Sequence, residues 1–153
     1  VSLEVAARRG ADHIIDYGRE DVRDRVMEIT GGKGANVVLD PVGGDAFDAS
    51  LRCVAWESVI LTIGFASGRI PEAPAWRLLL KNCAVVGLDW GGYLRRYLET
   101  VKAFNTEVIR WYAEGALDAR PSRTFPLEHA ADALEAQAVR GLTGKVMLTT
   151  ERG

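Results

Sequence analysis

Apolar residues follow two rhythms along the chain, and their alternation predicts the fold. Leu3 to Arg9 is helix-like and stops at Gly10, a residue suited to the left-handed conformation just past a helix end. His13-Ile14-Ile15-Asp16 is a short apolar strand, and Val22, Val26 and Ile29 then recur at helical spacing until Gly31-Gly32. Val37-Val38-Leu39-Asp40 repeats the strand signal, Phe47, Leu51 and Val54 repeat the helical one, and Ser58 to Ile63 is a third strand. Pro71 and Pro74 punctuate a loop, Trp76 to Lys81 predicts a short helix, and Cys83 to Leu88 a further strand.

These strands are continuous apolar runs, the pattern expected of a parallel sheet covered by helices on both faces. The class is α/β. From Tyr93 the spacing of Leu94, Tyr97, Leu98, Val101, Val108, Trp111 and Tyr112 predicts one long amphipathic helix ending at Gly115. Beyond it, Pro121 to Phe125 is extended, Glu128 to Val139 is helical, and Lys145 to Thr150 is a last strand.

The 153 residues, 48% of them apolar, suffice for a globular core. The net charge of −2 comes from interspersed acids and bases, so neither nucleic acid nor an anionic membrane surface is expected as partner. No apolar run approaches a membrane span and no signal-peptide core opens the chain, which points to the cytoplasm. Cys53 and Cys83 occur in no CxxC and sit in apolar segments, where reduced cysteine acts as a small hydrophobe.

Candidate chemistry gathers where strands hand over to helices. Asp40-Pro41-Val42-Gly43-Gly44 leaves one strand, Ile63-Gly64-Phe65-Ala66-Ser67-Gly68 the next, and Leu88-Asp89-Trp90-Gly91-Gly92 a third. Exits from parallel strands converge at the carboxyl edge of the sheet, where open α/β folds bind ligands. Glycines there let a cofactor approach the backbone, or simply make a strand-to-helix turn. Tyr17 either stacks on an adenine or donates to a phosphate, or else caps the core edge, and Lys145 either meets a phosphate or is a solvated lysine.

Other motifs fail on context. Gly31-Gly32-Lys33-Gly34 precedes a strand and opens no helix, so it is a turn and no phosphate cradle. Gly141 to Val146 lacks the spacing and the hydroxyl residue of a nucleotide-triphosphate loop. His13 and His129 have no partner at metal-ligand spacing, so no metal site is expected. Neither a nucleophile elbow nor a placed carboxylate pair is present, and no catalytic residue is assigned.

On these residues, together with Arg77 to Asn82 (RLLLKN), Val86 to Tyr93 (VGLDWGGY) and Gly144-Lys145-Val146, the chain resembles the C-terminal part of the zinc-independent, zeta-crystallin-like quinone oxidoreductases of the medium-chain dehydrogenase/reductase superfamily. The resemblance implies a partial Rossmann-type parallel sheet with flanking helices. The first strand and the glycine-rich loop would be missing, as in a fragment or a product begun late. Residues 1–115 would form the truncated dinucleotide-binding domain. Residues 116–153 would be an extension whose segments Arg120 to Phe125 and Lys145 to Thr149 pack, in relatives, on a GroES-like domain and would lack partners here.

By position, the resemblance gives Tyr17 the adenosine end of the cofactor, Val42 and Gly43 the loop under pyrophosphate and ribose, and Ile63, Gly64 and Phe65 the nicotinamide ribose. Leu88, Asp89 and Trp90 would lie toward the nicotinamide, and Lys145 would be a late basic residue near the cofactor. The implied cofactor is NADPH, with NADH as the alternative and no metal. The implied substrate is a quinone or an activated alkene or carbonyl, and the chain alone is expected to be inactive. A homodimer through strand 83–88 is implied as well. The alternative is a non-catalytic interaction module that keeps that sheet edge.

Overall fold

The structure, a computed structural model, describes residues 2–119, 121–138 and 144–150. The elements run α1 (Ser2–Arg8), α2 (Val22–Ile29), β1 (Ala35–Asp40), α3 (Gly44–Cys53), β2 (Val54–Thr62), α4 (Ala75–Lys81), β3 (Ala84–Gly87), α5 (Trp90–Arg96), α6 (Leu98–Ala113), β4 (Arg123–Pro126), a 3-10 turn at Leu127–His129, α7 (Ala130–Ala138) and β5 (Val146–Thr149). They group into two compact units, Ile15–Leu98 and Val1–Ile14 with Glu99–Gly153.

The first unit is the α/β body expected from the sequence. Its sheet has the order β1-β2-β3, and both pairings are parallel. Phe47, Leu51, Val54, Ile60 and Cys83 form the core, with Val38, Leu78 and Val85 packed against them. Helices α3 and α4 therefore lie on the sheet through Phe47, Leu51 and Leu78. Burying each such side chain is worth about 1.5–3 kcal/mol, so this small cluster is what holds the sheet to its helices. Both cysteines are buried and free.

Local chemistry sets the turns into this core. Asp21 caps α2 by accepting the Asp24 amide at 3.0 Å. The Thr30 hydroxyl donates to the Val26 carbonyl at 2.7 Å and accepts the Gly34 amide at 2.9 Å, closing the helix and steering the chain into β1. A Cβ on Gly34, at φ +86°, would stand 2.6 Å from the Cys53 carbonyl oxygen. The Gly31 to Gly34 segment is thus a helix-to-strand turn passed closely by the entry to β2.

Three expectations change. His13–Asp16 is no strand: a strand exists only by pairing, and this segment joins neither of the described sheets. Asp16 is spent on a turn instead: its carbonyl accepts the Arg19 and Glu20 amides, both at 2.8 Å, and its side chain accepts the Gly18 amide at 3.1 Å. Burial on both sheet faces also fails at β1, where Val37 and Leu39 are 71% and 61% exposed while Val38 faces the core. Alternate residues of a strand face opposite ways, and only one of these faces meets a helix.

The third change is the long helix, which is two. Tyr97, at φ −133° and ψ 51°, leaves the helical region between α5 and α6, and the two compact units divide at Leu98. Side-chain periodicity runs through such a break unaltered. Tyr93 and Tyr97 still meet, with ring centroids 5.4 Å apart.

In the second unit, the segments expected to lack partners pair with each other. β4 and β5 form a parallel two-stranded sheet in the register Arg123↔Val146 to Pro126↔Thr149. Their backbone groups are satisfied on one side by that ladder, and the Ser122 amide and hydroxyl each reach the Lys145 carbonyl at 2.9 Å. Arg9 and Asp118 form an ion pair at 2.7 Å within the same unit. Val139, which the helical pattern includes, Arg120, and the first half of the rejected Gly141 to Val146 motif lie outside the described residues.

Candidate functional site

The three strand exits share one rim. Asp40 pairs with Thr62, and Thr62 with Gly87, so the last residues of β1, β2 and β3 stand in one row. The ladder continues one step past the strands: the Ile63 amide donates to the Asp40 carbonyl and the Leu88 amide to the Thr62 carbonyl, both at 3.0 Å. Val42-Gly43, Ile63-Gly64-Phe65 and Leu88-Asp89-Trp90 therefore depart from a single edge.

The first two exits are laced together. The Ala66 amide donates to the Pro41 carbonyl at 3.1 Å, the Ser67 amide to the Val42 carbonyl at 2.9 Å, and the Gly44 amide to the Arg69 carbonyl at 3.1 Å. Buried Asp40 organises the turn beneath: one carboxylate oxygen, Oδ1, accepts the amides of Val42 and Gly43, both at 2.9 Å. Arg69 clamps the second loop to α3 through Asp45 at 2.9 Å and Asp48 at 2.5 Å. Hydrogen bonding to Asp48, and then to Asp45, pushes the Arg69 guanidinium pKa above its ordinary value.

This lacing gives the glycines a different reason from ligand approach. A Cβ on Gly43, at φ +68°, would lie 3.0 Å from both the Arg69 carbonyl oxygen and the Phe65 ring. On Gly64 it would lie 3.1 Å from the Pro41 carbonyl oxygen. Both positions are glycine because the two loops pass each other there.

The rim exposes apolar surface. Val42, Ile63 and Phe65 are 39%, 41% and 45% exposed. Leu88 is half-buried, and Asp89 stands at the start of α5 with its exposed carboxylate 3.3 Å from Arg95. Trp90 opens α5 and stacks on Tyr93, with centroids 6.4 Å apart and planes 18° from parallel.

Two of the expected residues are not part of these three exits. Tyr17 is 84% exposed, so it does not cap the core, and no hydrogen bond or ring contact among the described residues ties it to the rim. Lys145 is exposed and belongs to the other compact unit, at the start of β5. Conversely, sequence reasoning passed over Asp40, Ser67 and Arg69 as organisers. An aspartate two and three residues before the amides it accepts is a turn signature that could have found the first. Nothing in the spacing of Arg69 announces Asp45 and Asp48.

The profile of the family described as zinc-binding dehydrogenase matches residues 9–148. Among curated proteins, the chain is 38% identical over 151 residues to a quinone oxidoreductase-like protein 2 homolog of Nematostella vectensis, covering 98% of this chain and 41% of that one. Among solved structures it is similar to a quinone oxidoreductase of Pseudomonas syringae, with a TM-score of 0.81 at 32% identity, over 95% of this chain and 45% of that one. The Escherichia coli quinone oxidoreductase solved with NADPH gives a TM-score of 0.81 at 30% identity, over the same shares. The chain thus spans less than half the length of each.

Proposed function

The chain belongs to the zinc-binding dehydrogenase family, and from that premise we propose that its strand exits hold the nicotinamide-ribose end of NADPH in a quinone oxidoreductase-like enzyme. The observation that carries the reading is the row Asp40, Thr62, Gly87, which sends three loops to one carboxyl edge of a parallel sheet. When bound, the nicotinamide supplies a hydride, and a quinone or an activated alkene or carbonyl would accept it. Val42, Ile63 and Phe65 give the ring and ribose an apolar wall that excludes water. Gly43 and Gly64 keep that wall compact by letting the loops cross, and Asp40 fixes the turn from below.

The residues present fit this half of the cofactor better than its phosphates. Arg69, the cation at the laced loops, is committed to Asp45 and Asp48. We assign the pyrophosphate to a glycine-rich turn in the share of the relatives' length that this chain does not span, and hydride transfer to the whole protein. The same division makes residues 1–115 the dinucleotide-binding portion and 116–153 an extension toward the substrate domain. Leu88, Asp89 and Trp90 on the nicotinamide side, Tyr17 at the adenosine end, Lys145 near the cofactor and NADPH over NADH rest on the family resemblance, and a cytoplasmic site rests on the apolar pattern of the sequence. Among the described residues no group of three metal-binding side chains would hold a zinc ion, and both cysteines are in the core.

Reduced nicotinamide mononucleotide, which lacks the adenosine half, is the direct test. Titrated into the isotope-labelled chain, it should shift the amide signals of Val42, Ile63 and Phe65, and Phe65→Ser should weaken it. NADPH should bind the same rim. Saturating mononucleotide that leaves those three signals in place would end the reading.

A second reading is favoured by β3, an outer strand of the sheet with Val86 44% exposed. Its free edge would pair with a second copy, as a homodimer of the enzyme or as a non-catalytic interaction module. Light scattering separates the two. A dimer indifferent to NADPH supports the module, and a species whose assembly responds to NADPH supports the enzyme.

A further inference from the structure

A groove away from the rim carries its own chemistry. A cavity of about 280 Å³ opens between α2, α3 and α4, with Leu51 in the core beneath it and Trp76 and Leu80 as apolar walls. Its border holds four cations: Arg23 from α2, Arg52 from the end of α3, and Arg77 and Lys81 from α4. Trp76 and Leu80 are 58% and 65% exposed, large side chains left open to water.

The charges there are not balanced from within. Arg23 is held by Asp24 at 2.7 Å, but Arg52, Arg77 and Lys81 make no ion pair among the described residues. Arg77 lies over the Trp76 ring at 5.1 Å, which keeps a guanidinium beside an aromatic face. The nearest carboxylates of α3, Asp45 and Asp48, are taken by Arg69, and Asp21 accepts an amide at the start of α2. Three cations around one apolar hollow repel one another, and an anion entering between them would relieve that repulsion.

We propose that this groove binds a small planar aromatic anion, one or two rings bearing a phosphate, sulfonate or carboxylate. The ring would lie on Leu51, Trp76 and Leu80, and the anionic group would be held by Arg52 and Lys81. Size favours a small ligand, since the hollow sits just below the roughly 300–1,000 Å³ of ordinary ligand pockets. Charge favours it over an acidic peptide. The groove runs on into a cavity of about 710 Å³ whose lining includes Asp45, Asp48 and Glu72, and a long polyanion would meet those carboxylates. The site is independent of the nicotinamide reading, because no rim residue lines it.

The probe is 1-naphthyl phosphate, followed by the Trp76 indole N–H signal, which Trp76→Phe identifies by its loss. Binding should shift that signal, weaken about tenfold or more in Arg52→Gln/Lys81→Gln, and weaken with added salt, as loss of a charge-assisted contact predicts. Neutral 1-naphthol should bind at least about tenfold more weakly, a gap of about 1.4 kcal/mol. Circular dichroism of the double variant confirms that it folds. Equal binding of 1-naphthol, unchanged affinity in the folded double variant, or shifts confined to Val42, Ile63 and Phe65 would overturn the proposal. So would a glutamate-rich peptide with a single phenylalanine that binds the groove when the aryl phosphate does not.

Discussion

Asp40 holds Gly43 by an amide-to-carboxylate hydrogen bond of 2.9 Å, and the same oxygen holds Val42, while the second carboxylate oxygen is buried without a partner among the described residues. One side chain thus fixes the turn from which the rim is built.

Removing that acceptor should be costly. Asp40→Ala leaves the Gly43 amide buried and unsatisfied and frees the turn, a loss of about 2–4 kcal/mol from two hydrogen bonds to a charged group. Asp40→Asn keeps a carboxamide oxygen for both amides and should cost less, about 1–2 kcal/mol, because its new N–H₂ group lands where the second oxygen has no partner. Urea denaturation midpoints measure both. An alanine variant as stable as the parent would show that the turn is held elsewhere.

Two glycines in one turn should respond differently to alanine. Gly32 and Gly34 both have positive φ, +83° and +86°, but a Cβ on Gly32 meets nothing within 4 Å while one on Gly34 meets the backbone of Cys53, Val54 and Ala55 at 2.6–2.8 Å. Gly32→Ala should cost only the left-handed strain, about 1–2 kcal/mol. Gly34→Ala adds a backbone clash of about 1–3 kcal/mol. Equal losses by thermal denaturation would mean that the entry to β2 gives way freely.

The strands that the sequence announced are those whose neighbours lie in the same compact unit. Val38, Ile60 and Val85 sit in continuous apolar runs bounded by glycine exits, and pairing and burial both follow from that pattern. His13 to Asp16 carries the same pattern without a partner, and pairing is not a property of one segment. The break at Tyr97 is a backbone event under an unbroken side-chain period, and the β4–β5 ladder joins two segments that each read as an isolated strand. Within the site, the exits were legible from glycine and position, but the long-range ties were not. Arg69 finds Asp48 across 21 residues, and the crossing of Gly43 with Phe65 appears only once both loops are in place.

Burial should silence both thiols in the folded chain. Cys53 and Cys83 are 2% and 9% exposed, and desolvation raises the Cys53 thiol above its ordinary pKa against the pull of Arg52 and Arg23. Labelling with an aromatic disulfide reagent at neutral pH should therefore proceed at the rate of opening, and accelerate with urea. Rapid labelling in native buffer would mean that the core around Phe47 and Ile60 opens locally.

A pH signature is expected in α6. Arg110 donates to both carboxylate oxygens of Glu107 and also to Glu114 at 2.6 Å. These bonds from Arg110, with a smaller one from Trp111, hold the Glu107 carboxyl below its ordinary pKa. Because the folded value lies under the unfolded one, about 4.3 for glutamate, the stabilisation is fully present above that pH. It is lost as pH falls through the folded value. Ellipticity at 222 nm, followed downward in pH at low salt, should show this loss, and Glu107→Gln should flatten it. High salt should shrink the difference, since both side chains are exposed to solvent. If the glutamine variant follows the parent curve throughout the acid range, the Glu107–Arg110 pair does not govern the helix.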